Sequence, residues 1–398
     1  MQTIDFKMKI NVLFIKRDYI IESFVFYFEE ITMDLMKTIE DLIRFKTITG
    51  QTEEINKCLD YIKNSFKGTK ANVAIERFED ASPVIYIANN DESLQDVLVL
   101  GHLDVVSAPD EMFEPKVIDG KMYGRGTLDM KSFAAVAMNS MHYVLEHQLP
   151  VKFGIILSTD EEQGSKSTHA FLARRSDIEA KVVLDNDVGG DITKIINKCK
   201  NPVFVKLIAT GQAAHGSTPW EGIDANEMLM ETIRHLRVSF PYFDKVSGQP
   251  ENTWIDTMHV AKINGGEVSN IIASHAEALL DIRLTETSSV AELEKKLKKA
   301  CCNGVSYKIV SSSTPVVMQE DNQQILAYKK FAEKIMKCQI EFQQIGGATD
   351  ARLFAEKGAT VIMHSGTGEG MHAEGEYVVI QSVKDLADLQ IEYLKGIK

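Results

Sequence analysis

Four short runs, PVIYIAN (83–89), DVLVLGH (96–102), VKFGIILST (151–159) and AKVVLDND (180–187), are almost wholly apolar over the length of a β-strand. A strand with one wet face alternates apolar and polar residues, whereas a strand covered on both faces does not. These runs therefore call for a sheet with helices on both sides. The intervening segments supply them. Leu35, Ile39, Leu42 and Ile43 recur at helical spacing over 33–46, and 53–66 repeats the pattern. SFAAVAMNSMHYVLEH (132–147) predicts a buried helix whose small residues permit close packing, with a further helix at 169–176 and a strand at 72–78. Strands alternating with helices make an α/β layered domain.

The texture changes at Asn201. VFVKLIATG, WIDTMHVAKING, HAEALLDIRLTE and VSYKIVSS predict four longer, partly alternating strands, with helices at 224–239 and 289–300 between them. The first texture returns with a helix at 323–336, the strand ATVIMHSG and a terminal helix at 381–396. A 398-residue chain is long for one core. The expected organisation is a mixed-sheet α/β domain from 33–200 and 314–398, with an α+β domain of four strands and two helices inserted at 201–313. Insertion costs little when the guest's ends lie close together. Residues 1–32 are read as an appendage outside the native product, with Met33 as the start. Their apolar stretch is broken by Lys16, Arg17, Asp18 and Glu22 and has no 18-residue apolar run, which leaves a membrane anchor as the alternative reading.

A net charge of -13 and a pI near 5.3 argue against nucleic acid or an anionic membrane as partner. The cysteines, Cys58, Cys199, Cys301, Cys302 and Cys338, have no C-x-x-C spacing. They suit free thiols in a reducing compartment, the cytoplasm, rather than a disulfide framework.

Polar residues cluster where strand-like runs end. VLVLGHLDVV carries His102 and Asp104, MYGRGTLDMKS carries Asp129, and ILSTDEEQG carries Glu161 and Glu162. VVLDNDVGG carries Asp185 and Asp187, and EGMHAEGEYV carries His372. Ligands of open α/β sheets gather beyond the carboxyl ends of the strands. Two imidazoles and several carboxylates meeting there are the donor set for two zinc-like ions, with one carboxylate able to bridge them. Any one of these clusters alone is commonplace: an isolated acid pair is usually a solvated loop, and a lone histidine beside a strand is usually structural. Five loops of the same topology call for a common cause.

In order, GHLDVV, GRGTLDMK, STDEEQGS, the acid after VVL, GQAAHGSTPWEGIDAN, VSNIIASHAEALLDIR, GGATDAR and MHAEGEYV resemble the landmarks of the M20 metallopeptidases and amidohydrolases, from about residue 33 to 398. That family includes aminoacylases, dipeptidases, acetylornithine deacetylase and succinyl-diaminopimelate desuccinylase. The resemblance implies a catalytic domain of the zinc-exopeptidase type and an inserted lid or dimerisation domain. It implies two divalent ions, zinc foremost with cobalt or manganese as substitutes, held by His102, Asp129 as bridge, Glu162, Asp185 and His372. Asp187 is the alternative to Asp185. Glu161 becomes the general base toward a metal-bridged hydroxide, and Asp104 holds the His102 ring from behind. Residues 102 and 104 of a strand point the same way, which makes that contact feasible.

His215 would reach a partner subunit's site and stabilise the oxyanion, which implies a homodimer through 201–313. Asn270, Arg283, Gly346, Gly347 and Thr349 would handle substrate, a small N-acyl amino acid or dipeptide with a free carboxylate that suits a guanidinium. For Arg283 a surface ion pair is the plainer reading. Ala348, Leu128 and Ser132 depart from the commoner residues of these motifs, but none replaces a ligand. The alternatives are desuccinylase or deacetylase activity, or a catalytically silent binding module of the same fold. A Rossmann nucleotide enzyme is disfavoured, because no G-x-G-x-x-G lies between a strand and a helix.

Overall fold

The computed structural model describes residues 33–397, so the appendage at 1–32 lies outside the described residues. The apolar runs pair as expected into one large sheet. Its order is Asn72–Glu76, Val84–Ala88, Phe153–Ser158, Leu94–His102, Glu179–Asp185, Thr360–Met363, Lys194–Cys199 and Val316–Val317, and Glu341–Ile345 also pairs with Lys194–Cys199. Leu94–His102 runs parallel to both Phe153–Ser158 and Glu179–Asp185, and Glu179–Asp185 runs parallel to Thr360–Met363. The carboxyl ends of these central strands therefore share one edge.

Both faces are covered. On one side Ile85, Ile87, Val97, Val99 and Ile155 pack with the helices Leu35–Arg44, Thr52–Ser65, Lys131–Glu146, Gln323–Met336 and Ile380–Gly396. On the other, Leu98, Leu100, Ile156 and Val183 meet Phe171 and Phe354 from the helices Lys166–Arg174 and Arg352–Ala355. Ala134, Ala135 and Ala137 of Lys131–Glu146 are wholly buried, the close packing that their small size allows.

Sheet membership changes between Cys199 and Asn201 and changes back between Ser312 and Val316. Between those points a four-stranded antiparallel sheet, in the order Thr257–Gly265, His275–Leu284, Asn201–Thr210 and Val305–Ser312, packs against Ala225–Arg237 and Val290–Ala300 around a separate core. Ser289 and Glu292 form a reciprocal cap that starts the second of these helices.

Two features are absent from the sequence reading. Lys194–Cys199 and Glu341–Ile345 are strands that join the large sheet. A small antiparallel sheet links Lys116–Ile118 and Lys121–Tyr123 to Tyr377–Val379 and Gly368–Glu369. It draws the loop after Tyr123 against the loop before Tyr377, and those loops carry Asp129 and His372. Among the described residues, no helix is long and apolar enough to cross a membrane.

Candidate metal centre

His102 is the last residue of its strand and Asp129 ends the turn that precedes the Lys131–Glu146 helix. Glu161 and Glu162 occupy a single turn just beyond Phe153–Ser158. Gly164 closes that turn at φ +99°, a left-handed conformation in which a side chain would be strained. The turn brings two adjacent carboxylates to one side of the sheet edge. Asp160 stays out of it. Its oxygens accept from Ser167 N (3.1 Å), Ser167 Oγ (2.6 Å) and Ser82 N (3.3 Å), fastening the start of the next helix.

The side chains converge in two triads. His102 Nε2 stands 3.0 Å from Asp129 Oδ1 and 3.6 Å from Asp187 Oδ2. His372 Nε2 stands 2.9 Å from Asp129 Oδ2 and 3.0 Å from Glu162 Oε2. Within each triad the ligand atoms lie within 4.8 Å of one another, and Asp129 gives one oxygen to each. His102 Nε2 and Asp129 Oδ1 are buried and make no hydrogen bond, although they face each other. Two orphaned polar atoms at that separation, in an imidazole–carboxylate set, fit a borderline divalent cation shared between them better than they fit each other, and the second triad repeats the donor set.

Behind the triads, His102 Nδ1 lies 3.0 Å from the Asp104 carbonyl and 3.5 Å from its carboxylate. The same carboxylate accepts from Thr49 Oγ1 (2.8 Å) and from the backbone of Glu161 (3.1 Å) and Glu162 (3.2 Å). Asp104 thus holds both the ring and the acid turn. Burial pushes it up, but the His102 ring and these donors keep it below the ordinary carboxylate range.

Proton affinities differ sharply across the cluster. Burial pushes Glu161 up to about 8; His102 opposes the rise, and Asp187, Asp350 and Glu162 add to it. Burial, reinforced by Asp129, pushes Glu162 up to about 7. Asp129 is buried too, which would raise it, yet the two imidazoles beside it hold it well below the usual value. His372 is raised to about 9, chiefly by its hydrogen bond with Asp129. A cation among these groups would pull the carboxylates back down.

The structure places several of the expected residues differently. Asp187, the alternative to Asp185, is the one that stands with His102 and Asp129. Asp185 instead accepts from Thr349 Oγ1 and from the Asp187 amide (2.9 Å), and burial raises it to about 7. Thr349 is buried on Asp185, while Gly346 and Gly347 lie in an exposed loop where an added Cβ would meet no close contact. Arg283 forms a bidentate pair with Asp281, at 2.7 and 3.0 Å, the plainer of its two readings. His215 and Asn270 meet on the inserted domain, where the Gly216 amide donates to the Asn270 carbonyl (2.8 Å) and 215 bridges 271. Sequence reading missed Thr49, which donates to Asp104, and the buried pair of Arg125 with Glu376, whose carboxylate accepts the Asp129 amide. Arg125 and Glu376 lay inside quoted motifs, but nothing there marked them as partners. A cavity of about 460 Å³ lined by Thr49, Arg77, Ser82, Asp160, Gln163 and Lys166 flanks the centre, and none of the triad residues lines it.

Two imidazole–carboxylate triads sharing one aspartate, at the carboxyl edge of an α/β sheet, define a candidate dinuclear metallohydrolase. The chain belongs to peptidase family M20/M25/M40, whose model matches residues 98–395. It is 26% identical over 390 residues to the succinyl-diaminopimelate desuccinylase of Rickettsia felis, covering 90% of this chain and 98% of that one. It is 23% identical over 375 residues to the acetylornithine deacetylase of Buchnera aphidicola subsp. Schizaphis graminum, covering 88% and 94%. In fold it is similar to aminopeptidase PepT from Bacillus cereus, with a TM-score of 0.73 at 18% identity over 91% of this chain and 98% of the other.

Proposed function

We propose that the protein hydrolyses the amide or peptide bond of a small N-acyl amino acid or dipeptide, using two divalent ions, zinc foremost. His102, Asp129 and Asp187 would hold one ion, and Asp129, Glu162 and His372 the other. When bound, such ions acidify a water and polarise the scissile carbonyl. The observation that carries the reading is Glu161. Its carboxyl adjoins the cluster, belongs to neither triad, and has its backbone fastened to Asp104. It is left to accept the water's proton at a carboxylate oxygen and to return it to the leaving nitrogen.

A second copy of the chain would complete the site. His215 Nδ1 accepts from the Ser217 amide (3.2 Å), so in the neutral ring the proton sits on Nε2, a donor suited to an oxyanion. Trp220, Ile223, Ile263, Val268 and Ile271 leave large apolar side chains exposed on the same domain, as a self-associating surface would. Analytical ultracentrifugation returning only monomer at assay concentration would remove the dimer from this reading. A free substrate carboxylate would have to replace Asp281 on Arg283, so Arg283→Met should raise KM more than it lowers kcat. The desuccinylase and deacetylase relatives supply a second reading, in which the acyl group is succinyl or acetyl on a diamino acid.

The deciding experiment pairs ion content with turnover over a panel of acyl-amino acids, dipeptides, succinyl-diaminopimelate and acetylornithine. Glu161→Gln should keep about two ions per chain and lose on the order of 10²–10⁴ in kcat. Glu162→Ala should lose an ion as well. Equal ion loss in both variants would overturn the division of roles, and a wild type without ions or turnover would favour the silent binding module.

A further inference from the structure

The Glu376 carboxyl is completely buried yet belongs to neither triad. Its Oε1 accepts three backbone amides, from Gly126 (3.0 Å), Leu128 (2.8 Å) and Asp129 (3.2 Å). Its Oε2 takes the Arg125 guanidinium, which is itself buried and also donates to the Ala373 carbonyl at 3.3 Å. The Glu376 carbonyl accepts the Gly124 amide at 3.1 Å. Three inward-turned amides make a small anion-binding hollow, and Glu376 supplies the anion from another loop. A buried carboxylate is a costly way to close a loop unless every lone pair is engaged, and here both oxygens are.

The joined segments are the ones that carry Asp129 and His372. His372 is held at φ +60°, a conformation that non-glycine residues rarely keep without support from their surroundings. The other ligands have anchors elsewhere: His102 ends a strand of the large sheet, Asp187 donates its amide to Asp185, and the Glu162 amide is bound by Asp104.

We propose that Glu376, with Arg125, is the positioning residue that clasps the Asp129 and His372 loops together and sets the second ion's triad. The proposal rests on the two-ion reading above and adds an asymmetry to it. Releasing the clasp leaves His102 and Asp187 in place for one ion but only Glu162 for the other. Loss of the clasp therefore weakens the Asp129–Glu162–His372 position more than its neighbour.

The test uses the full chain and Zn²⁺ or Co²⁺ alone as probe, with ion content read by mass spectrometry after dialysis against a metal buffer. Wild type should retain about two ions per chain. Glu376→Gln should retain about one, its weaker ion losing roughly tenfold or more in affinity. The Co²⁺ absorption spectrum should change with it, while the metal-free melting temperature stays near that of wild type. Arg125→Lys keeps a cation on Oε2 and leaves the backbone bonds intact, so it should recover most of the second ion, whereas Arg125→Met should not. If Glu376→Gln fails to fold, the Arg125 pair carries the test alone. Retention of both ions at wild-type affinity in Glu376→Gln and Arg125→Met would overturn the clasp alone. Equal loss of both ions from a Glu376→Gln that still folds would overturn the asymmetry. A wild type that holds no ion overturns the metal reading itself.

Discussion

Asp185 and Asp187 stand two residues apart and face different neighbours. Asp185 closes its strand, in register with Leu100 and Met363, and the pleat directs its carboxyl to Thr349. Asp187 lies past the strand, where the chain is free to turn back, and its oxygen reaches the His102 and Asp129 side chains. Asp187→Asn should therefore reduce the ion content from about two to about one per chain, while Asp185→Asn keeps both. Elemental analysis after dialysis decides this, and the opposite pattern would return the role to Asp185. The kinds of donor were legible in the sequence, because imidazoles and carboxylates at strand ends have few other reasons to recur together. Their directions were not, since a pleat or a turn aims a side chain in ways that residue spacing leaves open. Glu161 and Glu162 show the same limit: adjacent residues share the site only because the 161–163 turn and Gly164 bend the chain around.

Elements with a strong period were read nearly to the residue. The predicted helix at 132–147 is Lys131–Glu146, and the strand at 96–102 lies within Leu94–His102. Elements two or three residues long, such as Lys121–Tyr123 and Tyr377–Val379, have no period to read and exist through their pairing alone. Edge strands such as Glu341–Ile345 expose too much polar surface to stand out. Contacts between distant elements are equally silent in the sequence. Ser140 in Lys131–Glu146 donates to Gln390 in Ile380–Gly396 (3.1 Å), and Gln390 donates to Asn186 (2.8 Å), between Asp185 and Asp187. All three side chains are buried. Gln390→Leu would strand the Asn186 oxygen and should cost about 1–3 kcal/mol of stability. Urea denaturation measures this, and an unchanged midpoint would show the chain of amides to be dispensable.

At the scale of the whole molecule, one buried histidine ties global stability to acidity. His364 Nε2 lies 2.7 Å from the Ile192 carbonyl and Nδ1 lies 3.2 Å from the Tyr328 hydroxyl, partners that suit a neutral ring with its proton on Nε2. Burial lowers its pKa to about 4, against about 6.5 in the unfolded chain. Between those values the unfolded state binds the extra proton, so stability falls as pH drops through that window and is unaffected by this group above it. The contribution lost is on the order of 3 kcal/mol at most. Urea midpoints near pH 7 and near pH 4.5 should therefore converge in His364→Asn relative to wild type. A wild-type slope that survives the substitution would assign the acid sensitivity elsewhere.

The same scale gives the inserted domain a simpler description. Val316 and Val317 pair antiparallel with Cys199 and Lys198, and the Ser313 amide donates to the Asn201 side chain at 3.0 Å. Seen from the large sheet, these two strands form a β-hairpin, and everything from 201 to 313 is its loop. Every triad residue lies outside that loop. The host sheet thus has a connection that an ordinary two-residue turn could replace, so the candidate ion-holding residues occupy lengths of chain separable from the inserted domain.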